Sequence, residues 1–404
     1  MPDSSPPAPL PARAGWVLPG LVAAQLLGTS LWFSSSAALP ALIAEWGLDA
    51  AAGGMLVSAV QVGFILGTLV FAVANLADIF SATRVFLVSA LAGAAMNALF
   101  AFTSEGLTSA LVYRFGTGLA LAGIYPVGMK VVVSWSPGGV GNALGWLIGA
   151  LTLGTATPFL LAALGADLPW QAVIGASSAL AVLAGLLVAA IGDGPHLASA
   201  HRPELGMLVR VFRFQGYRRA SLGYFGHMWE LYAFWVLTPL LVRAGLAPLG
   251  LDSPAAISLG AFLVIGIGAL GCIGGGLLST RIGSRAVASW ALGGSGALCI
   301  LAPWLLDWHP VLYGVGLLAW GVLVVADSAQ FSALSARACP QEYVGTALTV
   351  MNSIGFAITI ASIEWSVYLF PGWGVSVAWL LAPGPLLGLF FLNGGLGLLR
   401  PSNS

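Results

Sequence analysis

The feature that most constrains this chain is a succession of apolar runs, each about as long as a bilayer is thick and joined by short polar connections. They can be traced at 15–39, 51–75, 84–103, 107–134, 141–165, 170–192, 217–243, 256–280, 286–306, 310–335, 344–369 and 374–398. At 1.5 Å per residue, about 20 residues cross the ~30 Å hydrocarbon core. Only 7% of the residues are charged, against about 25% in a soluble domain, too few to cover a water-facing surface. Strands of a membrane barrel would alternate with a period of two over about ten residues, whereas residues 261–278 are continuously apolar. The expected fold class is an all-α membrane protein of twelve transmembrane helices with the lipid bilayer as its solvent.

Twelve crossings return the chain to the side on which it began. The connections on that side carry Arg13, Arg84, Lys130, Arg202, Arg210, Arg213, Arg218, Arg219, Arg281, Arg285, Arg337 and Arg400. The opposite connections carry only Arg243, while Arg114 lies inside a run. Basic residues stay cytoplasmic, so both termini are expected in the cytoplasm, at a plasma membrane of the bacterial inner-membrane type. With the arginines spent on connections, no basic surface remains for nucleic acid. The three cysteines have no disulfide or metal-ligand spacing. No cofactor is expected, and a monomer is expected to suffice. No phosphate-cradling G-x-x-x-x-G-K-[ST] loop and no nucleophile–base arrangement is present, which argues against ATP-driven pumping and against an enzyme.

The longest polar stretch follows the sixth run and divides the chain. A tail (1–14), a six-helix bundle (15–192), a cytoplasmic linker (193–216), a second bundle (217–398) and a short tail (399–404) are expected. Two loops echo each other across the halves. One runs from Ala74 through Asp78 and Ser81 to Arg84, and the other from Gly276 through Thr280, Arg281 and Gly283 to Arg285. Asp78 and Thr280 stand half a chain length apart, which implies duplicated bundles around an axis normal to the membrane.

These loops resemble the signature of the major facilitator superfamily, G-x-x-x-D-R-x-G-R-[RK] between spans two and three, with a weaker copy between spans eight and nine. The second loop keeps Gly276, Arg281, Gly283 and Arg285 but has Thr280 at the acid position. The first keeps Asp78 and has Ala74, Ile79 and Ser81 in place of Gly, Arg and Gly. Arg114-Phe-Gly-Thr-Gly118 in the fourth span is similar to the family's R-x-x-x-G segment. The resemblance implies two pseudo-symmetric six-helix bundles that rock about a central cavity lined by spans one, four, seven and ten. It also implies a conformational latch formed by Asp78, Arg84, Gly276, Arg281, Gly283 and Arg285.

Ionisable residues inside a span are costly and mark functional positions by default. Arg114, His227, Glu230 and Asp327 are of this kind, with Lys130 near the inner end of its span. His227 and Glu230 are three residues apart and share a helical face, and imidazole exchanges protons near neutral pH. A proton-coupling group of Glu230, His227 and Asp327 is one reading; a polar knot between helices is the other. Counting depth along the spans puts Arg114 level with Glu230 and Lys130 level with Asp327. Two ion pairs across the bundles, forming alternately, are therefore expected. Arg114, Lys130, Tyr125, Trp32, Gln25, Tyr232, Gln330 and Asn352 are candidate substrate contacts; each polar one can equally be an interhelical hydrogen bond. The expected function is proton-coupled secondary transport, by alternating access, of a small organic anion. Proton-driven efflux of a hydrophobic or cationic compound, and a non-transporting receptor or assembly protein of the same fold, remain as alternatives.

Overall fold

The computed structural model describes residues 14–49, 51–74, 76–136, 140–196, 210–340 and 343–395, without the side chains of residues 14, 77, 78, 140 and 141. The tails and residues 197–209 of the expected linker lie outside the described residues. Eleven helical stretches are long and apolar enough to cross a membrane, and the last, Val344–Leu392, has 49 residues. That is ~70 Å of helix where ~30 Å suffices. The chain reverses at Gly374, whose φ of +53° is left-handed backbone that a side chain resists. The last stretch is thus two crossings, which makes twelve among the described residues.

We label the spans α1 (Gly15–Trp46), α2 (Ala51–Val73), α3 (Ala82–Thr103), α4 (Leu107–Trp135), α5 (Asn142–Leu164) and α6 (Trp170–Ile191). The second half holds α7 (Gln215–Leu249), α8 (Pro254–Ile282), α9 (Ser284–Trp308), α10 (Pro310–Arg337) and α11 (Val344–Trp373). The last span, α12 (Pro383–Leu392), follows the turns Gly374–Val377 and Ala378–Leu381. The side on which α1 begins is called the terminal side, and the other the far side. Local sequence sets the tight far-side starts. Ser253 Oγ accepts the Ala256 N–H at 3.2 Å ahead of α8, and His309 Nδ1 accepts the Val311 N–H at 3.1 Å ahead of α10. Each start is followed by proline at the first helical position.

The duplication is visible in the packing. Gly63 of α2 lies on the Phe115 carbonyl of α4, and Gly118 of α4 on the Val60 carbonyl of α2. The second half repeats this reciprocal pair: Gly271 of α8 on the Val322 carbonyl of α10, and Gly321 of α10 on the Val264 carbonyl of α8. Small residues let backbones approach where no hydrophobic force draws helices together. A side chain at any of the four would strike backbone, which cannot rotate away. Gly118→Val and Gly321→Val are expected to cost at least ~1–3 kcal/mol each, read as a lowered melting temperature in detergent. The two bundles meet along α2 against α11 and α5 against α8. Outward residues such as Val88 and Leu270, each 66% exposed, form the lipid-facing surface.

The first crossing differs from expectation. It runs to Trp46 rather than ending near residue 39, and it is broken at residues 30–33. Thr29 and Ser30 turn their hydroxyls back onto the Gln25 and Leu27 carbonyls, at 2.8 and 2.6 Å. This competition with the helical ladder is the habit of Ser and Thr. Spans α4 and α10 are also interrupted, at residues 122–124 and at Asp327. Breaks at this depth are tolerated only where protein or a cavity satisfies the freed backbone, and here they surround the bundle interface.

Candidate functional site at the bundle interface

An aromatic layer joins the two bundles. Trp32 of α1 packs 5.7 Å from both Tyr232 of α7 and Phe356 of α11, and Phe64 of α2 lies 4.5 Å from Phe356. Phe33 meets Trp235 edge-on at 5.8 Å. On the terminal side of this layer is a cavity of about 40 Å³, room for a few water molecules. Its lining includes Tyr125, Tyr224, His227, Tyr232, Trp235 and Asn352. Among the described residues, the hydroxyls of these three tyrosines and the Asn352 amide make no hydrogen bond within the protein, and Trp235 Nε1 is likewise unpartnered.

His227 is the ionisable group on this surface. Its Nε2 is 3.0 Å from the hydroxyl of Ser328, also part of the lining. Its Nδ1 is 2.8 Å from Asp327 Oδ1, a close polar contact without the angle of an aligned hydrogen bond. Asp327 sits at the break in α10, so the interruption presents Asp327 and Ser328 together to one imidazole. The path cavity–Ser328–His227–Asp327 is continuous.

Glu230 turns elsewhere. It is 1% exposed, and its carboxylate accepts from Trp320 Nε1 at 2.6 Å, Ser295 Oγ at 2.9 Å and Cys299 Sγ at 3.3 Å. All three donors belong to the second bundle, and Glu230 is not among the residues that line the cavity. Three residues along a helix is a rotation of about 300°, so Glu230 lies some 60° from His227. That offset separates a cavity-facing residue from one facing its own bundle.

Arg114 also stays within its bundle, and the expected pair with Glu230 is not made. Its guanidinium donates to the Leu31 carbonyl at 3.0 Å, to Ser34 Oγ at 3.1 Å, to Asn97 Oδ1 at 2.9 Å and to the Trp32 carbonyl. The Leu31 and Trp32 carbonyls are those freed by the break in α1, so a planar fork of donors replaces the lost helical bonds. Arg114 is fully buried and lies off the cavity. Asn97 extends the network through Nδ2 to the Ile174 carbonyl and Ser178, both at 3.1 Å.

The second expected cross-bundle pair is replaced too, since Asp327 meets His227 of its own half while Lys130 is half-buried on α4. Of the other substrate candidates, Tyr125, Tyr232 and Asn352 line the cavity, whereas Gln25, Trp32 and Gln330 are buried away from its lining. Trp32 belongs to the aromatic layer and donates to Gln61 Oε1 at 3.3 Å. Gln25 is packed on Gly128 of α4.

At the terminal-side loops, the Asp78 side chain lies outside the described residues. At the start of α3, Asp193 Oδ1 accepts the Thr83 N–H at 2.9 Å. Arg84, Arg281 and Arg285 are exposed. Gly283 joins α8 to α9 with φ +87°. Gly276 has open space where a side chain would go, so no helix approach depends on it.

The sequence reading passed over Glu364, a carboxylate inside the eleventh apolar run. Ser58 Oγ of α2 donates to Glu364 Oε1 at 2.5 Å across the bundle interface, with Gly54 of α2 also against the carboxylate. The contact lies toward the far side and must part whenever α2 leaves α11 there. A hydrogen bond to a charged group is worth about 1.5–3 kcal/mol. Glu364→Ala is expected to speed modification of a Gln61→Cys variant by a membrane-impermeant thiol reagent severalfold. Glu364→Gln, which keeps an acceptor oxygen, is expected to have little effect.

Two bundles of six helices, related by an internal repeat and closing on a polar cavity at broken helices, define the class of membrane transporters. The sequence profile of the Major Facilitator Superfamily matches residues 21–363, and the chain belongs to that family. No protein of curated function matches it. The fold is similar to that of the human organic anion transporter MFSD10 (TETRAN), with TM-score 0.69 and 17% identity over 96% of this chain and 100% of that one. It is also similar to the nucleoside transporter NupG, in a mutant form, with TM-score 0.68 and 12% identity over 95% of this chain and 100% of that one. The protein is a multi-pass integral membrane protein with a transporter fold.

Proposed function

We propose that the protein carries a small organic anion, together with a proton, through the cavity at the bundle interface by alternating access. The observation that carries this reading is the path from the cavity through Ser328 and His227 to Asp327. With His227 neutral the site holds one negative charge; with His227 protonated it holds none. An anion in the cavity ~8 Å from Asp327, at an effective dielectric constant of ~20, is disfavoured by about 2 kcal/mol while that charge is uncompensated. Protonation removes the penalty, so anion and proton favour each other's binding by roughly 30-fold, and the coupling is reciprocal.

The support for an anion lies in the lining rather than in Arg114. Three phenols, an indole N–H and an amide offer donors to an acceptor-rich solute, and the aromatic faces suit a planar body. The name of one similar structure, an organic anion transporter, points the same way. Glu230 is a buried carboxylate whose partner Ser295 has a second acceptor, the Leu292 carbonyl at 3.4 Å. When Glu230 is protonated, it donates to Ser295, which turns to that carbonyl. The cage therefore accommodates either protonation state, as a proton-carrying group requires.

By the positive-inside rule the basic connections favour cytoplasmic termini; we read the membrane as a bacterial-type plasma membrane and the working unit as a monomer. In proteoliposomes with an imposed pH gradient, acid outside, a panel of aromatic carboxylates is expected to include one that is accumulated and that speeds collapse of the gradient. If no anion on the panel moves with protons, and neutral or cationic compounds do, the anion assignment fails.

A further inference from the structure

In this conformation a cavity between the bundles with room for an organic solute lies one layer beyond the centre, on the far side. It measures about 400 Å³, within the ~300–1,000 Å³ range of small-molecule sites, ten times the central cavity. Both bundles enclose it: Ala37 of α1, Phe159 and Ala162 of α5 and Trp170 of α6 face Pro239 of α7 and Ile257 of α8. Pro239 is one helical turn from Trp235 of the central lining. The partition between the two chambers is thus about one side chain thick, with the Phe33–Trp235 contact within it.

The walls are apolar except at the mouth. There Arg243, the one basic residue the sequence places on far-side connections, lies 3.9 Å from Asp252, the two side chains being 65% and 38% exposed. An ion pair so long and so wet is weak. Of the other acids nearby, Glu45 accepts the Trp170 Nε1 proton at 2.6 Å, and Asp167 is exposed between the lining residues Ala166 and Leu168. Ser36 also lines the chamber, and its hydroxyl makes no hydrogen bond within the protein.

We propose that this chamber is a second, outer binding site for a solute with an apolar ring-sized body and one carboxylate. It is filled from far-side water before the partition parts. This rests on the transport reading above and adds a stop on the route. Arg243 exchanges its loose contact with Asp252 for the carboxylate of the solute, where its planar fork can bind both oxygens, and the apolar walls take the ring. Asp252 therefore competes with the solute, and removing it strengthens binding.

The test uses the full-length protein in lipid nanodiscs with 2-naphthoate as the probe, titrated calorimetrically. Arg243→Gln is expected to weaken binding tenfold or more, and Asp252→Asn to strengthen it severalfold. Ala162→Phe, which puts a ring into the chamber, is expected to weaken it, while His227→Asn retains it. If Arg243→Gln and Asp252→Asn shift affinity in the same direction, or neither shifts it, the pair is only structural and the outer site is overturned. Loss of binding in His227→Asn alone places the probe at the centre; it also overturns the outer site, and leaves the transport reading standing. Binding that follows the expected pattern without any naphthoate-driven proton flux in vesicles sinks the transport reading for this solute and keeps the site. Failure of the wild-type protein to bind, because lipid chains fill the chamber, overturns the proposal as well.

Discussion

Asp327→Asn is expected to abolish anion accumulation driven by a pH gradient while leaving exchange of labelled for unlabelled substrate largely intact. The asparagine fills the same space at the break in α10 and keeps an oxygen toward His227, but it carries no charge. The site is then neutral without a proton and admits the anion unprotonated, and the carboxylate that favoured the imidazolium is gone. Most cycles therefore run without a proton even though the pairwise attraction of anion and proton is unchanged. Accumulation ratios in proteoliposomes should fall to unity, with exchange rates within a fewfold of wild type. His227→Asn is expected to be more severe, since it removes the proton carrier and leaves the carboxylate of Asp327 buried without its partner. Loss of both accumulation and exchange in Asp327→Asn would mean that Asp327 holds the fold or the substrate rather than the proton.

The largest loss of stability is expected at Arg114. Its side chain ties two carbonyls of the broken α1 to Ser34 and to Asn97 of α3. Leaving a buried acceptor unsatisfied costs about 1–3 kcal/mol. Arg114→Ala strands the Trp32 carbonyl, leaves the Leu31 carbonyl and Asn97 Oδ1 with Ser34 Oγ as their donor, and opens a cavity besides. Arg114→Lys is not expected to rescue it, because an ammonium is a compact point donor and the network needs a planar fork. Thermal unfolding in detergent reads this directly, with expression of folded protein reduced in both variants. If Arg114→Ala instead folds normally and only weakens anion binding, Arg114 belongs to the substrate site after all.

The contrast between these residues shows what was legible in the sequence. The length of the apolar runs and the one-sided distribution of arginine follow from the bilayer itself, so the number of crossings and the two halves could be read from local pattern. The reciprocal glycine pairs at Gly63–Gly118 and Gly271–Gly321 were hidden, because glycine is frequent in every span and only the approach of two helices singles these out. The identity of the buried ionisable groups was likewise readable, apart from Glu364, which a run traced through residue 364 should have flagged.

Partners were not readable. Depth along a helix set Arg114 level with Glu230 in one dimension and said nothing about the other two. A rotation of 60° was enough to send Glu230 into its own bundle. The break at residues 30–33 decided the fate of Arg114, and its signal was faint: Thr29 and Ser30 in an apolar run, where such residues are usually tolerated. The latch loops illustrate the same limit, since Asp193, far along the chain from the loop that carries the motif, accepts a backbone N–H at the start of α3.

The central claim is that the His227–Asp327 pair binds one proton with each anion. Addition of a transported aromatic carboxylate to purified protein in weakly buffered detergent solution, followed with a pH-indicating dye, measures it most directly. The account predicts uptake of up to about 0.7 proton per protein in the wild type at the most favourable pH, the most that a ~30-fold coupling allows, and much less at that pH in Asp327→Asn. Equal uptake in the two proteins, or none in a wild type that demonstrably binds the anion, would contradict it.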